Sequence, residues 1–143
     1  MLRTALIAAG ALAGGLTLSL AAQAASHAGG PMIDAKNVSI EGESFVFAKV
    51  MAAKDGYLVI HAVGSDGQPV VPGSIGHTPV KAGENVNVMV RVEGGAKSGK
   101  DYVVMLHDET NGNGTYDFGE GSTTVDTPSM MGDKMAAEAF KVE

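Results

Sequence analysis

Val86, Val88, Val90 and Val92 stand at every second position of one short stretch, alternating with Asn87, Met89 and Arg91. A period of two sends alternate side chains to opposite faces of an extended chain. The stretch therefore predicts a half-buried antiparallel strand and not a helix, whose apolar stripe would repeat about every 3.6 residues. Ser44 to Met51 and Gly56 to Val63 are also strand-like and are joined by a Lys54-Asp55-Gly56 turn signal. Tyr102 to His107 is apolar on both faces, as expected of a central strand. Turn signals at Gly64-Ser65-Asp66-Gly67, Pro72-Gly73, Ala82-Gly83 and Gly94-Gly95 punctuate the chain at distances suited to short strands. The tail from Met135 to Val142 reads either as a last strand or as a helical turn, since Met-Ala-Ala-Glu-Ala favours helix by propensity. The pattern predicts an all-β, immunoglobulin-like antiparallel β-sandwich of about seven strands in a single domain without internal repeats.

The N-terminus sets the expected compartment. Arg3 precedes an Ala/Leu-rich run from Ala5 to Ala22, and Ala22-Gln23-Ala24 places small residues at the −3 and −1 positions of a cleavage site. This is the pattern of a secretory signal peptide over residues 1–24. A retained membrane anchor is the competing reading, but no basic stop-transfer cluster follows the run. A flexible lead-in over 25–32 (Ser26-His27-Ala28-Gly29-Gly30-Pro31 at its centre) would then precede a sandwich over 33–143. The protein is expected in the periplasm or outside the cell, with no membrane span after cleavage.

Cleavage after Ala24 leaves 119 of the 143 residues and, with Arg3 removed, nine basic against 16 acidic side chains, a net charge of −7. An acidic domain with no basic stripe has nothing to neutralise phosphates, so nucleic acid is not an expected partner. The absence of cysteine excludes disulfides, thiol chemistry and Cys-ligated zinc. A chain of this length can be held by its core alone.

Several segments follow in one order: Gly56-Tyr-Leu-Val-Ile-His61, Ile75-Gly-His77, Lys81-Ala-Gly83, the valine ladder, Val104-Met-Leu-His107 and Asn111-Gly-Asn-Gly-Thr-Tyr-Asp-Phe118. The series resembles a family of exported prokaryotic β-sandwich domains of unknown function, which stand alone behind a signal peptide or decorate larger surface proteins. The resemblance covers most of Gly56 to Val142 and is most specific from His107 to Phe118. Members of that family often carry Asp where this chain has Glu109. The resemblance implies a sandwich and an extracytoplasmic setting, and no particular activity.

The same segment supplies oxygen donors at metal-ligand spacing. With Glu109 as position 1, Asn111 falls at 3, Asn113 at 5, Gly114 at 6, the carbonyl of Thr115 at 7, Asp117 at 9 and Glu120 at 12. This is the skeleton of a calcium loop, with a glycine for the sharp turn and a closing carboxylate. Starting the frame at Asp108 puts Thr110 and Gly112 at positions 3 and 5 and fails. Two neutral amides and a long first side chain predict weak binding of Ca²⁺, on the order of 10⁻⁴ to 10⁻³ M. The competing reading is a Gly/Asn turn without an ion, because those residues are what a chain uses to visit positive φ.

A second metal pattern lies at the mature N-terminus, Ala25-Ser26-His27. A free amine, two backbone amide nitrogens and a third-position imidazole suit the tetragonal geometry of Cu²⁺. His61, His77, His107 and seven mature methionines add a supply of nitrogen and soft sulfur ligands. His61 shares a strand face with Val59 and Val63, and His107 with Val103 and Met105, which predicts packed histidines with one hydrogen-bonded nitrogen. Met89 and Met105 are expected to fill space on strands. Met130, Met131 and Met135 come closest to a methionine cluster.

Catalysis finds no support. There is no nucleophile elbow, no Gly-rich phosphate loop and no His-Glu-x-x-His. The sequence therefore predicts an exported, non-catalytic binding or structural module, stabilised by Ca²⁺ in the 109–120 loop, that meets a surface or periplasmic partner. Its alternative is a periplasmic copper-binding protein.

Overall fold

The computed structural model describes residues 30–143, and everything said of the structure concerns those residues. The signal peptide and Ala25-Ser26-His27 lie outside them. Ten strands run in the order β1 (Met32–Ile33), β2 (Val38–Glu41), β3 (Ser44–Ala52), β4 (Gly56–Ala62), β5 (Gly76–Val80), β6 (Gly83–Arg91), β7 (Asp101–Asp108), β8 (Met130–Met131), β9 (Lys134–Met135) and β10 (Ala137–Lys141). Seven of these are four residues or longer, which agrees with the expected strand count. The described residues contain no helix, and so none long and apolar enough to cross a membrane.

Two antiparallel sheets face each other. In the first, β3 is central: β6 occupies one edge, while β1 and β2 share the other, with Ile33 opposite Val50 and Val38 opposite Phe47. The second runs β10-β7-β4-β5. With β2-β3-β6 as A-B-E and β10-β7-β4-β5 as G-F-C-C′, this is the strand order of an immunoglobulin-like sandwich. β8 and β9 form a separate small hairpin.

The core lies between the sheets. Phe45 and Phe47 from β3 meet Tyr102 and Phe140 edge-on, with ring centroids 4.8 to 5.3 Å apart across the interface. Leu58, Ile60, Val104 and Leu106 complete this layer from the facing sheet. The valine ladder contributes Val88, Val90 and Val92 to the same core, but Val86 is 60 % exposed. Asn87 lies between them at φ 50°, in the left-handed region that Asn tolerates better than most residues. There the strand swivels and its alternation changes face. β3 changes face in step, since Phe47 and Val50 are both core residues. The ladder was legible as a strand, but the break in its alternation was not.

The tail resolves to a strand. Ala137 to Lys141 pairs antiparallel with β7 from Met105 down to Asp101, and Phe140 enters the core. Helix propensity in Met-Ala-Ala-Glu-Ala yields to an open sheet edge and one well-placed aromatic.

Candidate functional site

A strand of a two-sheet sandwich normally turns one face to the core and one to water. β4 and β7 do not. Tyr57, Val59 and His61 on β4, and Met105 and His107 on β7, point away from the core yet are at most 3 % exposed. The strands are in register, with Tyr57 opposite His107, Val59 opposite Met105 and His61 opposite Val103. Two excursions of the chain cover this face. One is the loop over 63–75, tied down by Val70 N–H to Ala62 O (2.8 Å), Ile75 N–H to Ile60 O (2.9 Å) and a bridge from Val63 to Pro69. The other is the segment over 109–136. It pairs with the end of β7 through Asp108 N–H to Thr127 O (2.9 Å), Ser129 N–H to Leu106 O (2.8 Å) and a bridge from His107 to Pro128.

The two histidines are held in the same way from opposite ends of this face. His107 Nδ1 is 2.6 Å from the carbonyl oxygen of Asp126, and the ring meets Phe118 edge-on at 4.8 Å and Tyr116 at 5.3 Å. His61 Nδ1 lies 2.8 Å from Gly73 O and 3.2 Å from Val70 O. A carbonyl only accepts, so Nδ1 carries a hydrogen in both rings, and in the neutral ring that leaves the lone pair on Nε2. Both Nε2 atoms are buried without a hydrogen-bond partner. Burial holds His107 in its neutral form and draws its pKa down to about 4, although the Asp126 carbonyl works in the opposite direction. His61 and His107 sit four residues apart across the register, roughly 13 Å along the strand direction at ordinary strand rise. Their ring centroids are nevertheless 6.2 Å apart, so the rings lean toward each other over the Val59–Met105 pair. They line one apolar cleft of about 340 Å³ together with Pro72, Met105, Phe118 and Pro128.

The expected calcium ligands lie beside this face, and hydrogen bonds join most of them. Glu109 folds back on its own loop. Oε1 accepts N–H from Asn111 (3.0 Å) and Gly112 (2.9 Å), while Oε2 accepts N–H from Gly114 (3.0 Å) and the hydroxyl of Tyr57 (2.7 Å). These donors, the Tyr57 hydroxyl foremost, hold the Glu109 carboxyl below its usual pKa range. Asp117 Oδ2 accepts from the side-chain amides of Asn111 (3.0 Å) and Asn113 (2.6 Å), which likewise lower its pKa. Asn111 Oδ1 and Asn113 Oδ1 accept N–H from Asn113 (3.2 Å) and Thr115 (2.8 Å), as in successive Asx turns. Glu120 is exposed at a tight turn bridged from Gly119 to Ser122 and makes no hydrogen bond to the other five. Among the described residues no three His, Asp or Glu side chains converge as a metal-holding group.

Asp126 is the residue that sequence reasoning missed. Its side chain is fully buried, with φ 47°. Oδ1 accepts Thr110 N–H (3.1 Å), Oδ2 accepts Asp117 N–H (2.7 Å), and its own N–H reaches Thr110 Oγ1 (2.8 Å). Its carbonyl orients His107. One aspartate thus fastens the 109–120 loop to the covered face. The only local signal was a polar residue ahead of a Thr127-Pro128 turn, because all its partners lie nine or more residues away in sequence. The histidines behaved as expected to the extent that each has one hydrogen-bonded nitrogen. That the two rings come to line one cleft depends on the loops, and strand periodicity does not encode it.

The sequence model of the family DUF7282, described as a domain of unknown function, matches residues 31–143. The chain belongs to this family. No curated protein and no solved structure matches it. The family match spans all ten strands, both covering excursions and both buried histidines, so the covered face lies wholly within the family domain. It begins two residues before the boundary expected at residue 33.

Proposed function

We propose that this domain is the non-catalytic binding module of an exported protein, and that its ligand end is the covered face of β4 and β7. The observation behind this reading is the pair of buried, unpartnered imidazole nitrogens lining one apolar cleft. A buried polar atom without a partner costs about 1–3 kcal/mol, and a bound ligand or ion relieves that cost. Apolar walls with a few convergent polar atoms are the usual build of a small-ligand site. The test is a ¹⁵N-labelled mature domain titrated with a panel of metal ions and small apolar fragments. Shifts confined to His61, His107, Met105 and Phe118 support the reading. A panel that moves nothing in this cleft refutes it.

The 109–120 loop is the proposed site of a stabilising Ca²⁺, with Glu109, Asn111, Asn113, Thr115, Asp117 and Glu120 as ligands. Two carboxylates, Glu109 and Asp117, already sit close enough for one charge to act on the other. An ion there would have to displace the amides that now bond to Asp117, which agrees with weak affinity. Millimolar Ca²⁺ is expected to raise the melting temperature, and an unchanged melt removes the site.

Export is tested by sequencing the N-terminus of the protein recovered from outside the cytoplasm, expected to begin at Ala25. Cu²⁺ binding at Ala25-Ser26-His27 is the second reading, favoured by the position of His27 behind the cleavage motif. A visible d–d band with one equivalent of Cu²⁺, lost in His27→Ala, is its signature.

A further inference from the structure

We infer that His61 and His107 bind a single soft monovalent metal ion, Cu(I), through their Nε2 atoms, with the thioether of Met105 as the third ligand. The inference rests on the reading of the covered face as the ligand end and names what occupies it.

Four features of the face lead there. First, each ring donates Nδ1–H to a backbone carbonyl, Asp126 for His107 and Gly73 with Val70 for His61. That is the usual second hydrogen bond of a metal-bound imidazole; it fixes tautomer and orientation and leaves Nε2 free as the donor atom. Second, the spacing fits. Metal–nitrogen bonds of about 2.0 Å place the centroids of two imidazoles on opposite sides of one ion about 6 Å apart. The observed separation is 6.2 Å, with the ring planes 32° apart. The Nδ1 atoms are engaged at opposite ends of the face, which turns the two Nε2 edges inward.

Third, the ligand set selects the ion. Met105 lies between the histidines on the same strand face, lines the same cleft and is 3 % exposed. Two neutral nitrogens and a thioether, with no carboxylate lining the cleft, suit Cu(I) and offer nothing to Ca²⁺ or Mg²⁺. Fourth, charge points the same way. The cost of desolvating an ion rises with the square of its charge. A cleft with no anionic ligand therefore accepts a monovalent ion far more readily than a divalent one.

Ag(I) is a redox-inert probe of the same site and does not take the square-planar amine–amide–imidazole geometry open at Ala25-Ser26-His27. The mature chain is titrated with Ag(I) and, under a reductant, with Cu(I) in competition with a chromogenic Cu(I) chelator. One equivalent is expected to shift the Nε2 resonances of both His61 and His107 and to raise the melting temperature. Met105→Leu, which conserves volume, is expected to weaken binding by roughly tenfold to hundredfold, the range seen when a metal site loses one supporting group. His61→Phe fills the cleft with another ring and is expected to abolish Ag(I) binding while the domain still melts cooperatively. Replacing the exposed Met130 and Met131, which do not line the cleft, together by Leu is expected to leave the affinity unchanged.

The inference is overturned if neither Nε2 signal of the unsubstituted protein moves with Ag(I) or Cu(I), a measurement that needs no variant to fold. It is also overturned if His61→Phe binds as tightly as the parent, or if Met130 and Met131, outside the cleft, carry the binding. Should metals leave both Nε2 signals unmoved while an apolar fragment shifts them, the metal fails and the ligand end stands. Should neither class of probe move them, both fail.

Discussion

The two outward faces of the sandwich are made from strands of similar length and end in opposite environments. On the β3–β6 sheet, Val86 and Met89 are 60 % and 49 % exposed, beside ion pairs such as Lys49–Glu84 at 3.0 Å. On the β4–β7 sheet the corresponding face is covered by two long excursions and holds two histidines, each with Nδ1 on a backbone carbonyl. One face is a solvated surface whose residues answer mainly to solubility. The other is a second small core that includes polar side chains, His61 and His107. The contrast teaches that burial on both faces of β4 and β7 comes from the loops rather than the strands. It also puts the two unpartnered imidazole nitrogens where those loops close.

If that is right, the two faces differ sharply in tolerance. Gly56 starts β4 against the end of β7, where an added Cβ would run into the carbonyl oxygen of His107. Backbone cannot step aside as a side chain tip can, so Gly56→Ala is expected to destabilise by about 3 kcal/mol or more, at the upper end of overpacking effects. Urea denaturation followed by circular dichroism measures it, and a loss under 1 kcal/mol would mean that the strand pair is looser than it looks.

Next in size is the clasp between loop and face. Asp126→Ala removes the acceptor of the Thr110 and Asp117 N–H groups, at about 1–3 kcal/mol for each donor left unpaired. A comparable loss is expected on acidification. His107 has a folded pKa of about 4 against an ordinary 6.5. Above about pH 6.5 both folded and unfolded chains carry it neutral, and its contribution is fully present. As pH falls from 6.5 toward 4 only the unfolded chain takes up the proton, and about 3 kcal/mol is lost across that window. The groups acting on the ring are the Asp126 carbonyl, His61, and the charges of Asp126 and Asp108. In metal-free protein, His107→Gln should flatten the pH dependence of stability between 6.5 and 4. An unchanged slope would assign the transition to other groups.

How much of this was legible follows from the range of the interactions. The period-two valines and the apolar run Tyr57-Leu-Val-Ile60 announced strands, because side-chain alternation is local. The run from Tyr102 to His107, apolar on both faces, was equally a signal of a covered strand, and it was spent on identifying a central one. The Asn-Gly-Asn-Gly segment was legible as a tight turn, since Gly112 and Gly114 do adopt positive φ (72° and 70°). The hydrogen bond from Tyr57 to Glu109 spans 52 residues, and Asp126 reaches back 19 to His107. No pattern in one sequence marks partners at that distance. Two histidines four positions apart across a register meet only because a pair of loops tilts them.

The smallest expected effect completes the contrast from the open side. Val86 pairs with Lys49 across the sheet and is turned to water by the left-handed Asn87. Val86→Thr keeps the β-branch that suits a strand and exchanges one exposed methyl for a hydroxyl, so stability is expected to change by less than about 0.5 kcal/mol. Val59→Thr makes the same exchange on the covered face, where Val59 is fully buried between His61 and Tyr57. There the hydroxyl has to find a partner or lose its hydration, at about 1–3 kcal/mol. Equal effects at the two positions would mean that the covering loops open to water in solution, and the second core would then be no core at all.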